Sequence, residues 1–215
     1  MKLTKKKTKL KHLISAILLI ISIKATSQTE VPIENWGQNY TNTYLKDING
    51  HFNKFLGTWE YSTSDKYFKI RFYKVNKVPA STLPFYTGNK FYDYICSFIE
   101  YKEKQNGQWV TIYNTFNTPA FTSTNFSYDA IQGYAISSDS NWILLNYTEP
   151  TETCRPRLSI ILNIRHQAGN PEQLLWERDT TLIIAGGKPN CENIDDSPFK
   201  IPANMVLTKV IPTLD

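Results

Sequence analysis

From residue 57 onward, apolar and polar residues alternate with a period of two, broken by short polar turns. In KYFKIRFYKV, Phe68, Ile70 and Phe72 fall on one face and Lys69, Arg71 and Tyr73 on the other, as a half-buried strand requires. GTWEYST precedes this run and KFYDYICSFIEYKE follows it. Asn106-Gly107 then turns the chain into QWVTIYN, since both residues accept the positive φ of a two-residue hairpin. IQGYAIS and WILLNYT form a second hairpin across SDSN, and RLSIILNIRH and LLWERDTTLII a third across AGNP. NMVLTKV closes the set of about nine strands, with no helical period between them. Successive hairpins predict an antiparallel meander. Such a sheet hides its edges by closing into a barrel or by folding into a two-sheet sandwich. The expected fold is all-β, an antiparallel barrel of about eight or nine strands, with the sandwich as the alternative.

Ahead of the strands the pattern changes. Residues 28–43 are polar and read as an arm, and the strand domain spans 44–215. Leu45, Ile48, Phe52 and Phe55 recur at near-helical spacing, so 44–56 predicts a short helix or helical turn closing one barrel end, with Gly50 in its middle. Three connections, 76–89, 114–130 and 185–203, exceed ordinary turns. The first two carry Phe85, Tyr86, Phe121, Phe126 and Tyr128, read first as loops packed over a barrel end and second as a binding surface.

Residues 1–27 alter the charge picture. Six lysines precede LISAILLIISI, and Ala25 and Ser27 sit at the −3 and −1 positions of a cut before Gln28. This is the layout of a secretory signal peptide. The apolar run is too short for a spanning helix, which needs about 20 residues. Removing this segment takes away seven of the 24 basic residues and none of the 19 acidic ones, so +5 becomes −2. The basic balance therefore offers no argument for nucleic acid or an anionic membrane as partner. The expected location is secreted or periplasmic, with no transmembrane segment in the mature chain.

Outside the cell a disulfide is permitted. Cys96 lies in a strand and reads as a buried thiol, while Cys154 and Cys191 lie in loops and are the candidate pair. A link across 37 residues would stabilise by about 3.8 kcal/mol on chain entropy. Pairing through Cys96, or no pairing, remains the alternative. No C-x-x-C occurs, which leaves no zinc knuckle or thioredoxin-type site.

FLGTWEY after a helical turn resembles the start of lipocalin-type barrels, where a glycine and a tryptophan open the first strand. The resemblance implies that Gly57 lets the chain bend at the barrel end. It also implies that Trp59 plugs that end and that Lys209 packs on Trp59 from the last strand. More closely, NTYLKDINGHFNKFLGTW and FKIPANMVLTK resemble an uncharacterised bacterial family of small secreted or lipid-anchored proteins, over about Tyr44 to Lys209. That family implies a lipocalin-like barrel and no established activity. Many members carry a lipid-attachment cysteine, which this chain lacks near the cut.

Candidate chemistry is sparse. His51 and His166 read as exposed, and no H-E-x-x-H or G-x-S-x-G occurs. Glu177 and Asp179 would share one strand face and could serve as acid and base, although a solvated outer face is the simpler reading. Glu192, Asp195 and Asp196 lack calcium-loop spacing. Tyr73, Tyr94, Tyr113 and Trp176 are the candidate ligand-binding residues, because tyrosine offers an apolar ring with a polar tip. The expectation is a non-enzymatic binding protein without cofactor or metal, taking a small apolar or amphipathic ligand. The alternative is a packed scaffold whose loops bind a protein or glycan at the cell surface.

Overall fold

The computed structural model describes residues 28–38, 40–80, 89–125, 131–137, 139–148, 157–186, 201–202 and 204–210. Side chains are described throughout except at 132, 147–148, 157–162 and 178–186. Eleven strands are present: β1 (Thr29–Pro32), β2 (Thr43–Lys46), β3 (Gly57–Ser62), β4 (Lys66–Pro79), β5 (Phe91–Gln105), β6 (Gln108–Asn114), β7 (Gln132–Ile136), β8 (Trp142–Thr148), β9 (Arg157–Gln167), β10 (Gln173–Gly186) and β11 (Asn204–Lys209). Eight of them close in the order β5-β4-β3-β11-β10-β9-β8-β7 and back to β5, every neighbour antiparallel. The expected all-β barrel is the fold, and the sandwich is excluded by the closure.

Alternation sets the inner wall. Trp59, Ile70 and Ile99 oppose one another across β3, β4 and β5. Phe68 opposes Tyr101 in the layer above. On the far wall Trp176 opposes Ile164 and Met205. All eight are buried, and Trp59, Trp176, Phe68, Ile70 and Tyr101 are the bulkiest of them. Each large apolar side chain withdrawn from water contributes about 1.5–3 kcal/mol, so this ring of residues is the main source of stability. Asn106 and Gly107 have φ of 51° and 81°, and Gln105 pairs with Gln108, as the two-residue hairpin demands.

The outer edge of β5 is divided among three strands. β2 pairs parallel to its start at Tyr44↔Phe91, β7 meets its middle at Ile95↔Gly133, and β6 follows its end from Glu100 to Gln105. Gly133 fits because a Cβ there would stand 2.4 Å from the Leu144 carbonyl oxygen. Ser97 Oγ donates to the Ile131 carbonyl at 2.8 Å and ties the same seam.

The amino-terminal region differs from its expectation. The segment 28–43 carries β1, which pairs parallel with β2, and a 3-10 turn at Ile33–Asn35 with Ile33 wholly buried. The apolar residues 45–55 do not share one helix: Leu45 lies in β2 and Ile48 is 51% exposed. Helical geometry is confined to a 3-10 turn, His51–Lys54, which buries Phe52. Gly50 adopts φ 67°, and the Asp47 carboxylate accepts the His51 backbone N–H at 2.6 Å and that of Phe52 at 3.4 Å. A left-handed glycine and a side-chain cap start the turn late and keep it short.

Candidate functional site

The closed end is built on Gly57 and Trp59. Gly57 has φ 107°, a conformation glycine alone adopts without strain. Trp59 is wholly buried, and its indole N–H donates to the Phe55 carbonyl at 2.8 Å, locking the plug to the 51–54 turn. Lys209 pairs with Trp59 in register and holds its Nζ 5.2 Å from the indole ring. The same ammonium donates to Glu172 Oε2 at 2.6 Å, and His166 Nε2 lies 3.4 Å from that oxygen. The Lys209 hydrogen bond, and then His166, hold the Glu172 carboxyl below its ordinary value. His166 is therefore no solvated strand end: it packs edge-on against Phe55 and Trp59 at 6.3 and 6.4 Å.

Beside this plug lies a charged cluster. Lys74 Nζ sits 3.1 Å from Asp47 Oδ2 and 3.2 Å from Asp93 Oδ2, with the two carboxylate side chains 0% and 1% exposed. Asp93 also accepts the backbone N–H of Asp47 at 3.0 Å and of Lys77 at 3.2 Å, together with the Tyr44 hydroxyl. Burial, and then that bond to Asp93, push the Tyr44 phenol above its ordinary value. Every polar oxygen here has a structural partner, so the cluster fastens β2, β4 and β5 to the capping turn.

The four candidate ligand residues do not converge. Trp176 lies inside the barrel, 1% exposed, its ring 5.3 Å from Phe68. Tyr73 belongs to the opposite face of β4, stacked on Phe98 at 5.0 Å, and its hydroxyl accepts the Phe121 N–H at 2.9 Å. Burial pushes that phenol up to about 12. Tyr94 packs with Tyr92 and Tyr134 at 6.5 and 5.1 Å, away from Trp176. Tyr113 lies on β6 and stacks on Tyr101 at 6.5 Å. Trp176 is thus interior, Tyr73 and Tyr94 take the outer faces of β4 and β5, and Tyr113 stands beside Tyr101 on β6, which lies off the barrel path.

Trp176 has one unusual property. Its indole nitrogen is buried and has no hydrogen-bond partner among the described residues. Glu177 is exposed on the opposite face, and the Asp179 side chain lies outside the described residues. Cys96 is a wholly buried thiol that burial pushes well above its ordinary value. Cys154, Cys191, Phe85, Tyr86, Phe126, Tyr128, Glu192, Asp195 and Asp196 lie outside the described residues. Among the described residues no group of three His, Cys, Asp or Glu side chains could hold a metal, and no helix is long and apolar enough to cross a membrane.

A shallow cleft of about 330 Å³ opens on the outer wall, between residues 34–38 and the β7–β8 hairpin. Glu34, Asn35, Trp36, Gln38, Ser137 and Trp142 are among its walls. Trp36 donates its indole N–H to the Ile136 carbonyl at 2.9 Å and meets Tyr134 edge-on at 6.3 Å. Glu34 Oε1 accepts Asn49 Nδ2 at 2.7 Å and lies 3.6 Å from His51 Nε2, whereas Oε2 is buried without a hydrogen-bond partner among the described residues. Sequence reasoning missed this site because 28–43 read as an arm; the signal available was Trp36 in an otherwise polar run.

No curated protein and no solved structure matches the chain. A family match spans residues 6–210, from ahead of β1 to the end of β11, and on that extent the chain belongs to the family of unknown function DUF6705.

Proposed function

We propose that this chain is a secreted bacterial binding protein of lipocalin-like architecture, holding a small amphipathic ligand inside the barrel beyond Trp176. The observation that carries the reading is the indole N–H of Trp176, buried and without a partner among the described residues. Leaving such a donor unsatisfied costs about 1–3 kcal/mol, which an acceptor atom on a ligand would recover. Below Trp176 the barrel is filled by Trp59, Ile70, Phe52 and Phe55. Above it β9 and β10 run on through Arg157 and Gly186, so the ligand's place is toward that end. The layout of residues 1–27 supports export.

The filled lower half favours the rival reading, a solid scaffold that binds only through its surface. Native mass spectrometry of protein isolated from its source separates the two. The ligand reading expects an adduct of constant mass that is lost from Trp176→Phe, which removes the donor and keeps an aromatic ring. It also expects 8-anilinonaphthalene-1-sulfonate to shift tryptophan emission in the wild type. No adduct together with no shift refutes it.

A further inference from the structure

We propose that the outer edge of β6 receives a second copy of this chain, the two β6 strands pairing antiparallel about a twofold axis; this goes beyond the ligand reading above and does not depend on it. β6 lies off the barrel path and, among the described residues, pairs only with β5, which leaves its other edge without a strand. In a two-residue hairpin the flanking pair, here Gln105 and Gln108, exchanges both backbone bonds. Alternate residues then turn the other way, so Trp109 and Thr111 direct their N–H and C=O groups to the free edge. Both faces of the strand are open as well: Trp109 is 47% exposed on one and Val110 37% exposed on the other.

A free edge invites another strand, and chains ordinarily blunt it with charge, proline or shortness. β1, at the end of the strand order, has all three: it is four residues long and carries Glu30 and Pro32. β6 has none of them. QWVTIYN runs for seven residues without a charge or a proline. The strand also suits its own copy. Antiparallel pairing centred on Val110 sets Val110 against Val110 and Trp109 against the partner's Thr111, and the outward groups of these residues close four backbone bonds. Aromatic and β-branched side chains make favourable cross-strand pairs. Lys102 and Lys104, which face Thr111 and Trp109 from β5, stand one strand back from the seam. The lysines of the two copies are thus roughly 14 Å apart, beyond the screening length of about 8 Å at physiological salt. A charged strand from another protein would find no charge on this edge to answer it. The seam is short, which places it among the weak interfaces below about 1,200 Å² and sets a micromolar affinity.

Sedimentation velocity of the whole protein, from about 1 to about 300 μM, tests this. The mass should rise from one chain to two with a midpoint of about 10–100 μM. Val110→Lys and Val110→Glu each set like charges face to face across the axis and should weaken pairing about tenfold or more. An equimolar mixture of the two should recover it, because lysine then faces glutamate, and a mere loss of fold is not rescued in this way. Amide exchange reads the register: Trp109 and Thr111 should slow as concentration rises, while Val110, bonded to β5, should not change. If either Val110 variant does not fold, as circular dichroism will show, Thr111→Pro decides, since it removes an N–H aimed outward and should weaken pairing about tenfold or more. A single-chain mass at every concentration overturns the proposal. So do a dimer that these variants leave intact, a mixture of folded variants that stays monomeric, and association that runs on past two chains.

Discussion

Replacing Lys74 with Met would test whether the Asp47–Lys74–Asp93 cluster holds the closed end. The lysine lies 3.1 and 3.2 Å from carboxylates that are 0% and 1% exposed, while its own side chain is 23% exposed. At an effective dielectric constant of about 20, each contact is worth roughly 5 kcal/mol of Coulomb energy before desolvation is subtracted. Removing one partner of a buried pair costs about 3–5 kcal/mol, since the remaining charge keeps its burial and loses its compensation. Here two acids are left, but the partial exposure of Lys74 lets water screen them, so the expected loss lies at the lower end, about 3 kcal/mol. In a domain this large that corresponds to a fall in Tm of roughly 6–12 °C. Urea unfolding followed by tryptophan emission reads the loss directly. Adding Asp93→Asn to Lys74→Met should restore about 1 kcal/mol or more, because one uncompensated charge is gone. If Lys74→Met costs less than about 1 kcal/mol, the cluster behaves as a surface ion pair and the reasoning fails.

Three further expectations follow from single side chains. Gly133→Ala would place a Cβ 2.4 Å from the Leu144 carbonyl oxygen, so β7 must leave β5 or shift; the expected cost is about 1–3 kcal/mol, with faster amide exchange at Ile95, and unchanged exchange there would refute it. Gly57→Ala meets no clash, its nearest neighbour being Lys209 Cε in ordinary contact at 3.8 Å, but retains φ 107°. It should cost about 1–3 kcal/mol from backbone strain alone, and a neutral result in thermal melts would show that the turn relaxes. Glu172 titrates below its ordinary value, so its contribution is present above the unfolded carboxylate pKa of about 4.3 and is lost as pH falls through the lower folded value. Glu172→Gln should flatten that acid limb in pH-dependent melts, and a parallel curve for variant and wild type would rule this out.

What could be seen in the sequence was what two-residue alternation and turn chemistry encode. Phe68, Ile70 and Phe72 are 0%, 0% and 3% exposed on the inner face of β4, and Asn106-Gly107 makes its hairpin. The parallel strands β1 and β2 could not be seen. They are four residues each and join partners distant in the chain, so no hairpin marks them. The buried cluster had a signal that passed unread: Lys74 continues the inward series of 68, 70 and 72, a register where a lysine demands acidic company. Its partners, Asp47 and Asp93, come from a turn and another strand, and no local pattern joins them. The four ligand candidates were chosen by residue type, and type does not report which face of a strand a side chain occupies. Trp176 stands apart because of a nitrogen unpaired among the described residues, which only three-dimensional packing shows.

The unequal seams of the barrel carry a kinetic consequence. Strands β3 to β6 each pair antiparallel with the next strand in the chain, and so do β7 to β10, with β11 laid along β10. The two meanders meet at Ile95↔Gly133 on one side and at Thr208↔Glu60 and Lys209↔Trp59 on the other. Local pairings form early, and those that close long loops form late. The chain should therefore assemble as two curved half-shells that dock last. The docking step would bring Trp59 under Lys209 and so be visible as a late change in tryptophan emission, after most strand signal has already appeared.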